Sequence, residues 1–503
     1  MAAACNLFPH LHHLIFPFVI VSPKFTRMKP ALPCLLILLF CARAQAQEKW
    51  DLKQCIDYAL ANNISVQQQD VQARLAALSY KQSKLAQFPT LGFGTSFGIN
   101  TGRSVDRTTN QYTTQSIFYN GLQLQSNVDL FNFYSKRHSI EAYRYENEAA
   151  TAQVEKAKND VALNVAGAYL QVLLNREQIA ISRVQITQTR AQLSNTLKLV
   201  QAGSVPELNA AQLESQVATD SSNLVTAKGT EAQALLTIKA LLNIDAGKPF
   251  EITTPPIESI PLEPLSELEP ENVYKLALQN LPLQRVNTLR LKAAQKNADA
   301  ARGALYPSFS IGGSIGTNYS NIKNQPQLVG TSVNGVTPVG VVKSTGDTVY
   351  APNIVPNYLF YSDRFGNQFG NNLSNGITLN VSVPIFNGGA ARTALQRAKV
   401  NVRGYELQQE QDNQTLKQDI YKAYTDAITN LEKFNAASTA VATAQKAFDF
   451  STKRYNIGLL NTIDLLTTQS SLFRAQLERS VAQAQYVFSM KVLEFYKGQG
   501  LKL

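Results

Sequence analysis

The sequence predicts a mainly α-helical protein with a small β part, in which a unit of two β-strands and long antiparallel coiled-coil helices occurs twice. Three observations predict this fold. Short motifs recur at fixed long offsets, which indicates a duplicated unit. Four segments alternate between apolar and small polar residues, as strands with one apolar face do. Two segments of more than 60 residues contain no proline and carry a narrow apolar seam, which is typical of long helices.

The start of the chain carries the features of an export signal. Lys29 supplies a positive start, residues 30–41 an apolar stretch, and Ala44-Gln45-Ala46 a cleavage site of small residues. We therefore expect residues 1–46 to be a presequence with the signal peptide at 28–46.

Two alternatives stay open for this region. The apolar patch 14–21 could belong to a longer membrane anchor, although prolines and basic residues interrupt it short of the ~20 residues that a spanning helix needs. A lipid on Cys41 would be an anchor of another kind, but Phe40 is bulkier than the small residue that precedes the cysteine of a lipoprotein signal.

The composition argues against nucleic-acid binding and against chemistry. Removal of the presequence lowers the formal charge from +11 to +7, and this excess is spread over the chain without a basic run. The processed chain keeps one histidine, His138, and one cysteine, Cys55, which cannot form an internal disulfide. Because motifs for metal ligands, phosphate loops and nucleophile elbows are also missing, we expect no catalytic residue, no cofactor and no metal.

Two fixed offsets relate the halves of the chain. Ala59-Leu60-x-Asn62 matches Ala277-Leu278-x-Asn280 at an offset of 218 residues. Phe131-Asn132 matches Phe386-Asn387 at an offset of 255 residues, so the second copy carries an insertion of 37 residues. A fixed offset indicates a duplicated structural unit.

These matches divide the mature chain into three parts. The first structural repeat covers 47–242 and the second covers 273–503. Between them, residues 243–272 hold six prolines that no helix interior would accept, so this segment is a linker. The insertion in the second repeat predicts one long loop, which we place at 318–375.

Four predicted strands cover about 90–100, 117–130, 308–316 and 376–386. Each approaches the ~9–11 residues that a tilted strand needs to cross a bilayer, and the face opposite the apolar one holds Gly, Ser, Asn and Gln, as a water-filled lumen requires. The alternative is an ordinary soluble sheet. Four strands cannot close on themselves, so a transmembrane sheet needs several chains that share a barrel of 8 or 12 strands.

The remaining segments are predicted helices. Two long ones cover about 134–200 and 391–455, each ~100 Å long at 1.5 Å per residue. Shorter helices, two for each long one, cover about 52–87, 208–242, 271–305 and 463–497. The narrow seam suits a hollow wall with water on both sides, and an elongated coiled coil is the alternative.

These residues together resemble the TolC-like outer-membrane efflux protein family, from residue 50 to about residue 500. No single motif is specific for this family. The order of the motifs is specific, because it occurs twice along the chain at long spacings. The motifs are Leu52-x-x-Cys55-Ile56-x-x-Ala59-Leu60-x-Asn62-Asn63, Phe88-Pro89-x-Leu91, Leu130-Phe131-Asn132, Tyr306-Pro307-x-Phe309, Pro384-Ile385-Phe386-Asn387-Gly388-Gly389, and a last signature that runs from Arg454-Tyr455 through Gly458 to Asp464-Leu465-Leu466.

The resemblance implies a homotrimer that shares a 12-strand β-barrel in the cell outer membrane, continued by a 12-helix α-barrel into the periplasm. The linker would form an equatorial region with the chain ends. The implied function is the exit duct of a tripartite efflux or type I secretion system. Such a duct passively conducts substrate from a periplasmic adaptor protein and an inner-membrane pump of the RND or ABC type to the exterior.

The resemblance also implies roles for the two turns that join long and short helices. The turn residues Gly203, Ser204 and Val205, and Gly458, Leu459 and Leu460, would be periplasmic tips that contact the adaptor. Glycine there suits a turn with positive φ.

A second set of residues near these turns, Asp464, Thr467 and Asn209, would surround the closed periplasmic aperture. A ring of carboxylates at a constriction attracts cations. Thr467 and Asn209, the repeat counterpart of Asp464, depart from the fullest acidic pattern of the family. The alternative is that Asp464 caps the helix that follows.

Two other function classes stay open from the residues alone: a non-conducting periplasmic scaffold or adhesin, and an enzyme. Residues 102–106, between the first two predicted strands, could be an outward-facing loop or a constriction of the lumen.

Overall fold

The computed structural model describes residues 49–105, 112–323 and 325–498, so the predicted presequence lies outside the described residues. The elements belong to one compact unit, Trp50–Leu503. The first half contains α1 (Leu52–Asn62), α2 (Ile64–Leu85), β1 (Thr90–Val105), β2 (Tyr112–Phe131), α3 (Ser135–Gln201) and α4 (Glu207–Leu242). The second half contains α5 (Pro270–Asn280), α6 (Pro282–Gly303), β3 (Ser308–Ser320), β4 (Gln325–Val341), β5 (Thr348–Tyr361), α7 (Phe365–Asn371), β6 (Ser374–Ser382), α8 (Ala390–Asn456) and α9 (Thr462–Tyr496).

The two long helices are confirmed to within one residue at each end. Helices α3 and α8 each have 67 residues and therefore extend over ~100 Å. Their predicted seams are buried, at Val161, Val165 and Val172 in α3 and at Leu416 and Ile420 in α8. Outside these seams most of α8 is exposed, as expected of a helix that packs only on its neighbours.

Two of the predicted short helices are each divided in two. The first breaks at Asn63, whose side chain accepts from the Ser65 N–H at 2.9 Å and donates to the Leu241 carbonyl at the end of α4. The second breaks at Leu281, because Pro282 lacks an amide hydrogen and holds the preceding residue in an extended conformation.

Two stacked short helices lie beside each long one, as the helix lengths predict. Helices α2 and α6 pack against the first half of α3, and α4 packs against its second half. Helix α8 is lined in the same way by α6, α5 and then α9.

Four strands form one antiparallel sheet in the order β1-β2-β3-β6, so β1 and β6 are its edges. The first three strands are longer than predicted, since β1 reaches Val105, β2 begins at Tyr112 and β3 reaches Ser320. Strand β6 is shifted toward the N-terminus relative to the predicted 376–386. Its pairing ends at Ser382 because Pro384 has no amide hydrogen to donate.

The segment 318–375 differs from the predicted long loop. It contains β4 and β5, which pair as a separate two-stranded antiparallel ribbon, and the short helix α7. The described residues thus form six strands rather than the four predicted. Strand β4 carries three register irregularities near Gly330, Gly335 and Gly340, and these glycines and the nearby prolines hide the strand pattern in the sequence.

The linker holds both ends of the described chain. At one end, Trp50 pairs with Ile252 in an isolated parallel bridge, and its ring packs on Tyr58 and Phe250 at centroid distances of 5.0 and 5.4 Å. At the other end, Lys491 of α9 donates to the Pro261 carbonyl at 2.6 Å.

An ion pair between Lys491 and Glu494 is buried beside the linker. The two side chains are 3% and 7% exposed, and Nζ lies 2.8 Å from the carboxylate. The other carboxylate oxygen accepts the backbone N–H of Glu263 at 3.2 Å. Because the two charges are bonded to each other in the interior, removal of either one is destabilising.

We predict that Glu494→Gln lowers the free energy of unfolding by about 3 kcal/mol, since the buried Lys491 ammonium loses its charged hydrogen bond to this carboxylate. The matched control is Glu406→Gln, which breaks an exposed pair of the same spacing with Arg403 and should cost less than about 1 kcal/mol. Heat or denaturant unfolding of the detergent-solubilised protein measures both. Equal destabilisation by the two variants would contradict the assignment.

Candidate functional site

The register of the four-stranded sheet gives it one apolar face. Residues paired across antiparallel strands project to the same side, and sides alternate along each strand. The apolar face carries Leu91, Phe93, Phe97, Ile99, Phe118, Leu122, Leu124, Val128, Ile311, Ile315, Ile377, Leu379 and Val381. Most of these side chains are exposed in the single chain, including Ile377, which is 83% exposed.

The opposite face, here called the polar face, is hydrophilic and almost neutral. It includes Gly92, Gly94, Ser96, Gly98, Tyr119, Gly121, Gln123, Gln125, Asn127, Asp129, Ser310, Gly312, Ser314, Gly316, Gly376, Thr378 and Asn380. Asp129 is its one charged member among the described residues, and its carboxylate lies 2.8 Å from Nζ of Lys136. This face can therefore line a water-filled passage without a strong field.

The ring of Tyr119 lies against the polar face over Gly98. A Cβ added at Gly98 would come within 2.3 Å of the ring, whereas a Cβ at Gly94 would meet nothing within 4 Å. Gly98 therefore allows the aromatic ring to lie along the sheet.

The two turns at the far end of the long helices have the same construction. Gly203 has φ +70 and Gly458 has φ +77. In the first turn, the Gly203 and Ser204 N–H groups donate to the carbonyls of Val200 and Leu199. Gly458 and Leu459 donate to Tyr455 and Arg454 in the same pattern, so both helices end in a Schellman motif. The prediction of glycine with positive φ is confirmed at both turns.

The tip residues divide into exposed and packed ones. Gly203, Ser204, Gly458 and Leu459 are exposed, and Leu459 is 65% exposed. Val205 is half-buried, and Leu460 packs in a cluster that includes Phe448 and Leu465. The surface available to another protein thus contains one large apolar side chain from this set.

The interpretation of Asp464 as a helix cap is wrong. The cap of α9 is Asn461, whose Oδ1 accepts the Asp464 N–H at 2.8 Å. Asp464 is the third helical residue, where the helix dipole favours a carboxylate, and its side chain is exposed.

The other two residues predicted to line the aperture lie in the first turn of their helix or just beyond it. The Thr467 hydroxyl donates to the Ile463 carbonyl at 2.8 Å. Asn209 lies in the first turn of α4 and donates its N–H to the Pro206 carbonyl. The structure thus places Asp464 and Asn209 at equivalent places on α9 and α4, each directly after a tip turn.

A buried polar connection above the tips was not predicted. The Tyr455 hydroxyl at the end of α8 lies 2.8 Å from Oγ1 of Thr196 in α3 and 3.4 Å from Oγ1 of Thr462 in α9. It therefore joins the α3/α4 pair of helices to the α8/α9 pair. A tyrosine near a helix end gives no sequence signal of this role, because one partner is 259 residues away.

A second connection joins the same helix pairs further from the tips. Thr189 of α3 donates to the carboxylate of Asp220 in α4 at 2.6 Å and accepts from Gln469 of α9 at 3.0 Å. The side chains of Asp220 and Gln469 are almost fully buried. In the sequence, the only sign of this connection is an acidic residue, Asp220, within the helix α4.

Features that carry chemistry are sparse in the described part of the chain. Burial, and then the nearby Asp51 carboxylate, raise the pKa of the Cys55 thiol to about 12, so this cysteine stays protonated and serves packing. Within the described residues, no three His, Cys, Asp or Glu side chains are grouped so that they could hold a metal ion. Among the same residues, no helix has the length and hydropathy that would allow it to cross a membrane.

A sheet with one apolar and one neutral hydrophilic face, continued by helices of ~100 Å, defines a membrane-associated conduit. A sequence profile of the outer membrane efflux protein family matches residues 55–243 and 273–499. The chain is similar to the outer membrane protein TolC of Salmonella enteritidis, with 21% identity over 93% of this chain and 85% of that protein. It is also 24% identical to the pyoverdine export outer membrane protein OpmQ of Pseudomonas aeruginosa, over 71% of this chain and 65% of OpmQ.

The fold has solved counterparts. The crystal structure of the outer membrane protein VceC from Vibrio cholerae superposes with a TM-score of 0.67 at 16% sequence identity, over 90% of this chain and 97% of VceC. The chain belongs to the outer membrane efflux protein family. It is an efflux channel of the outer membrane and not an enzyme. The family match thus confirms the predicted family, localisation and function.

We predict that Gly98→Ala lowers the single-channel conductance by roughly a tenth to a third, because the added Cβ forces the Tyr119 ring off the sheet and into the passage. Gly94→Ala, on the same face of the same strand, should leave the conductance unchanged. Planar-bilayer recording of the two variants checks this, and equal conductances would contradict a Tyr119 ring that is displaced into the passage.

We further predict that Tyr455→Phe raises the fraction of time that the channel is open, since the α3/α4 and α8/α9 pairs lose a buried hydrogen bond of about 1 kcal/mol. Tyr421→Phe, at an exposed position of α8, is the control. Single-channel open probability measures the effect. An unchanged open probability in Tyr455→Phe would assign this bond to stability alone.

Proposed function

We propose that the chain works as a homotrimer, in which three sheets close a 12-strand barrel in the outer membrane and twelve helices form a tunnel in the periplasm. It serves as the exit duct of a tripartite efflux or type I secretion system. Substrate passes through it passively, from a periplasmic adaptor protein and an inner-membrane pump of the RND or ABC type to the exterior.

The observation that carries this proposal is the two-faced sheet with open edges. Strands β1 and β6 each have an edge without a partner strand in the described chain. Unpaired N–H and C=O groups are not tolerated in lipid, so a membrane-embedded sheet must close with other copies. The exposed apolar face then contacts outer-membrane lipid, and the polar face lines the lumen.

The helices support the tunnel. In each long helix the buried seam is narrow, and in α8 the remaining surface is largely exposed and polar. A wall with water on both sides needs such a surface, because it has no core to cover.

The tips support the adaptor contact and the aperture. Both tip turns present exposed backbone and small side chains around Gly203 and Gly458, with Leu459 as an apolar anchor. Asp464 follows directly with an exposed carboxylate, so three copies place three acids near the closed end.

The lumen does not select a cargo by charge in the barrel. The polar face is neutral apart from Asp129, which is paired with Lys136. We therefore assign selection of substrate, and the supply of energy, to the pump and the adaptor.

The test of this function is electrical. The purified, processed protein in a planar bilayer should give small, flickering currents, as a duct with a closed periplasmic end would. A water-soluble protein without currents would overturn the channel and favour a non-conducting scaffold.

We predict that Asp464→Asn lowers the ratio of cation to anion permeability by a factor of about three, because the aperture loses a ring of carboxylates. The control is Asp245→Asn, which removes an acid in the linker, away from the tips. Reversal potentials in a salt gradient measure the ratio. An unchanged ratio in Asp464→Asn would remove this residue from the aperture.

A further inference from the structure

The ribbon formed by β4 and β5 has no role in the conduit described above. It is inserted between β3 and β6, at the ends of these strands that lie away from the helices. At ~3.3 Å per residue, β4 extends over ~56 Å and β5 over ~46 Å. In the proposed orientation the ribbon projects on the outer side of the barrel.

The ribbon has one apolar face. Strand β5 contains no extra residue, so its side chains alternate regularly, and the paired residues of β4 share their sides. The ribbon apolar face carries the cross-strand pairs Leu328 with Tyr358 and Val333 with Ile354, flanked by Val336 and Tyr350. These six side chains are 50–66% exposed.

The other side of the ribbon is mixed. It carries Gln327, Ser332, Thr337, Asn353 and Asn357 together with Val349, Val355, Leu359 and Tyr361. The side of Leu328, Val333, Ile354 and Tyr358 is the more apolar of the two, and an exposed apolar side of this size indicates a contact surface.

An uncovered ribbon of this kind is not stable in water. A lone two-stranded hairpin is marginal at best, and its apolar face adds no stability while it faces solvent. Because all residues of β4 are exposed in the single chain, another surface must supply the contact.

Edge pairing and lipid headgroups fit the ribbon poorly. Pro326, Pro338, Pro352 and Pro356 interrupt both strands and cannot donate to a further strand. Between residues 325 and 361 the charged residues are Lys343 and Asp347, both in the turn. A segment that binds a lipid surface carries basic residues on its polar side, and this ribbon has none on its strands.

The position of the ribbon favours other copies of the same chain. It leaves the sheet beside β6, an edge strand at which neighbouring chains must meet if the barrel closes. Three ribbons then start from one ring, at an effective concentration that makes even a weak contact form.

The area is sufficient. A two-stranded face ~46 Å long and ~10 Å wide offers ~450 Å² per copy, and three copies bury ~1,350 Å² together, within the range of stable protein interfaces.

We propose that the three ribbons pack on one another through their apolar faces, which turn toward the shared axis, and so form a bundle at the external end of the channel. This inference rests on the proposed trimer. The bundle is a homotypic contact, so its partner is the same face of the neighbouring copies.

The test uses single cysteines on the ribbon of the full-length protein in intact outer membranes. Ile354→Cys lies on the ribbon apolar face, and the control Asn357→Cys lies on the opposite side of the same strand. The native Cys55 is buried and does not interfere. Under mild oxidation we expect about fivefold more disulfide-linked dimer from Ile354→Cys than from the control.

Each outcome is decisive for the ribbon. Equal cross-linking of the two variants, or none in either while the protein remains a trimer by native mass, would overturn the bundle and leave the proposed duct intact. A protein that is not a trimer would overturn both.

A second pair of variants tests the same contact without a cysteine, whose introduction alone can perturb packing. Ile354→Lys places three positive charges on the shared axis, so chymotrypsin added to whole cells should cut at Tyr350 and Tyr358 at least about fivefold faster than in the unmodified protein. Asn357→Lys on the opposite side is the control. The same cleavage rate in both variants would contradict the contact.

Discussion

Open β-edges in a lipid bilayer are the constraint on which the rest of this structure depends. A bilayer core offers no water to satisfy free N–H and C=O groups, so a transmembrane sheet must have no edge. The four-stranded sheet has open edges at β1 and β6. The closure with other copies that we propose removes these edges and at the same time encloses the polar face, which would otherwise face lipid.

The helical part follows from the same requirement. In the proposed trimer the strands form a ring, so the helices that enter and leave each strand stand in a ring as well. These helices must be long if the passage is to extend away from the membrane. The 67-residue helices α3 and α8 supply this length, and the stacked pairs of short helices fill the spaces between them. The linker then fastens the helices near their middle through Trp50 at one end of the chain and the buried Lys491–Glu494 pair at the other.

Features with a local cause were predictable from the sequence. The seam residues Val161 and Val165 indicate the long helix because they recur with helical spacing. Gly203 and Gly458 indicate turns because glycine accepts positive φ. Features that depend on residues far apart in the sequence, or on residues that suit more than one structure, were not predictable. The β4–β5 ribbon was hidden by glycines and prolines at its bulges, which are residues that loops also prefer.

The candidate site shows the same division. Asn461 and Asp464 are both acceptable caps, and only the observed backbone assigns that role to Asn461. The bond between Thr196 and Tyr455 links residues 259 positions apart, so no local pattern reveals it. The aperture proposed for Asp464 forms only where the tips of several copies meet, so no pattern within one chain predicts it.

The most direct test of the central claim is the native mass of the processed protein after extraction from outer membranes in detergent. Closure of the sheet by identical copies predicts a mass of three mature chains, with no monomer at low protein concentration. A stable monomer that keeps its strand content would contradict the account, because its sheet would then persist with both edges unpaired.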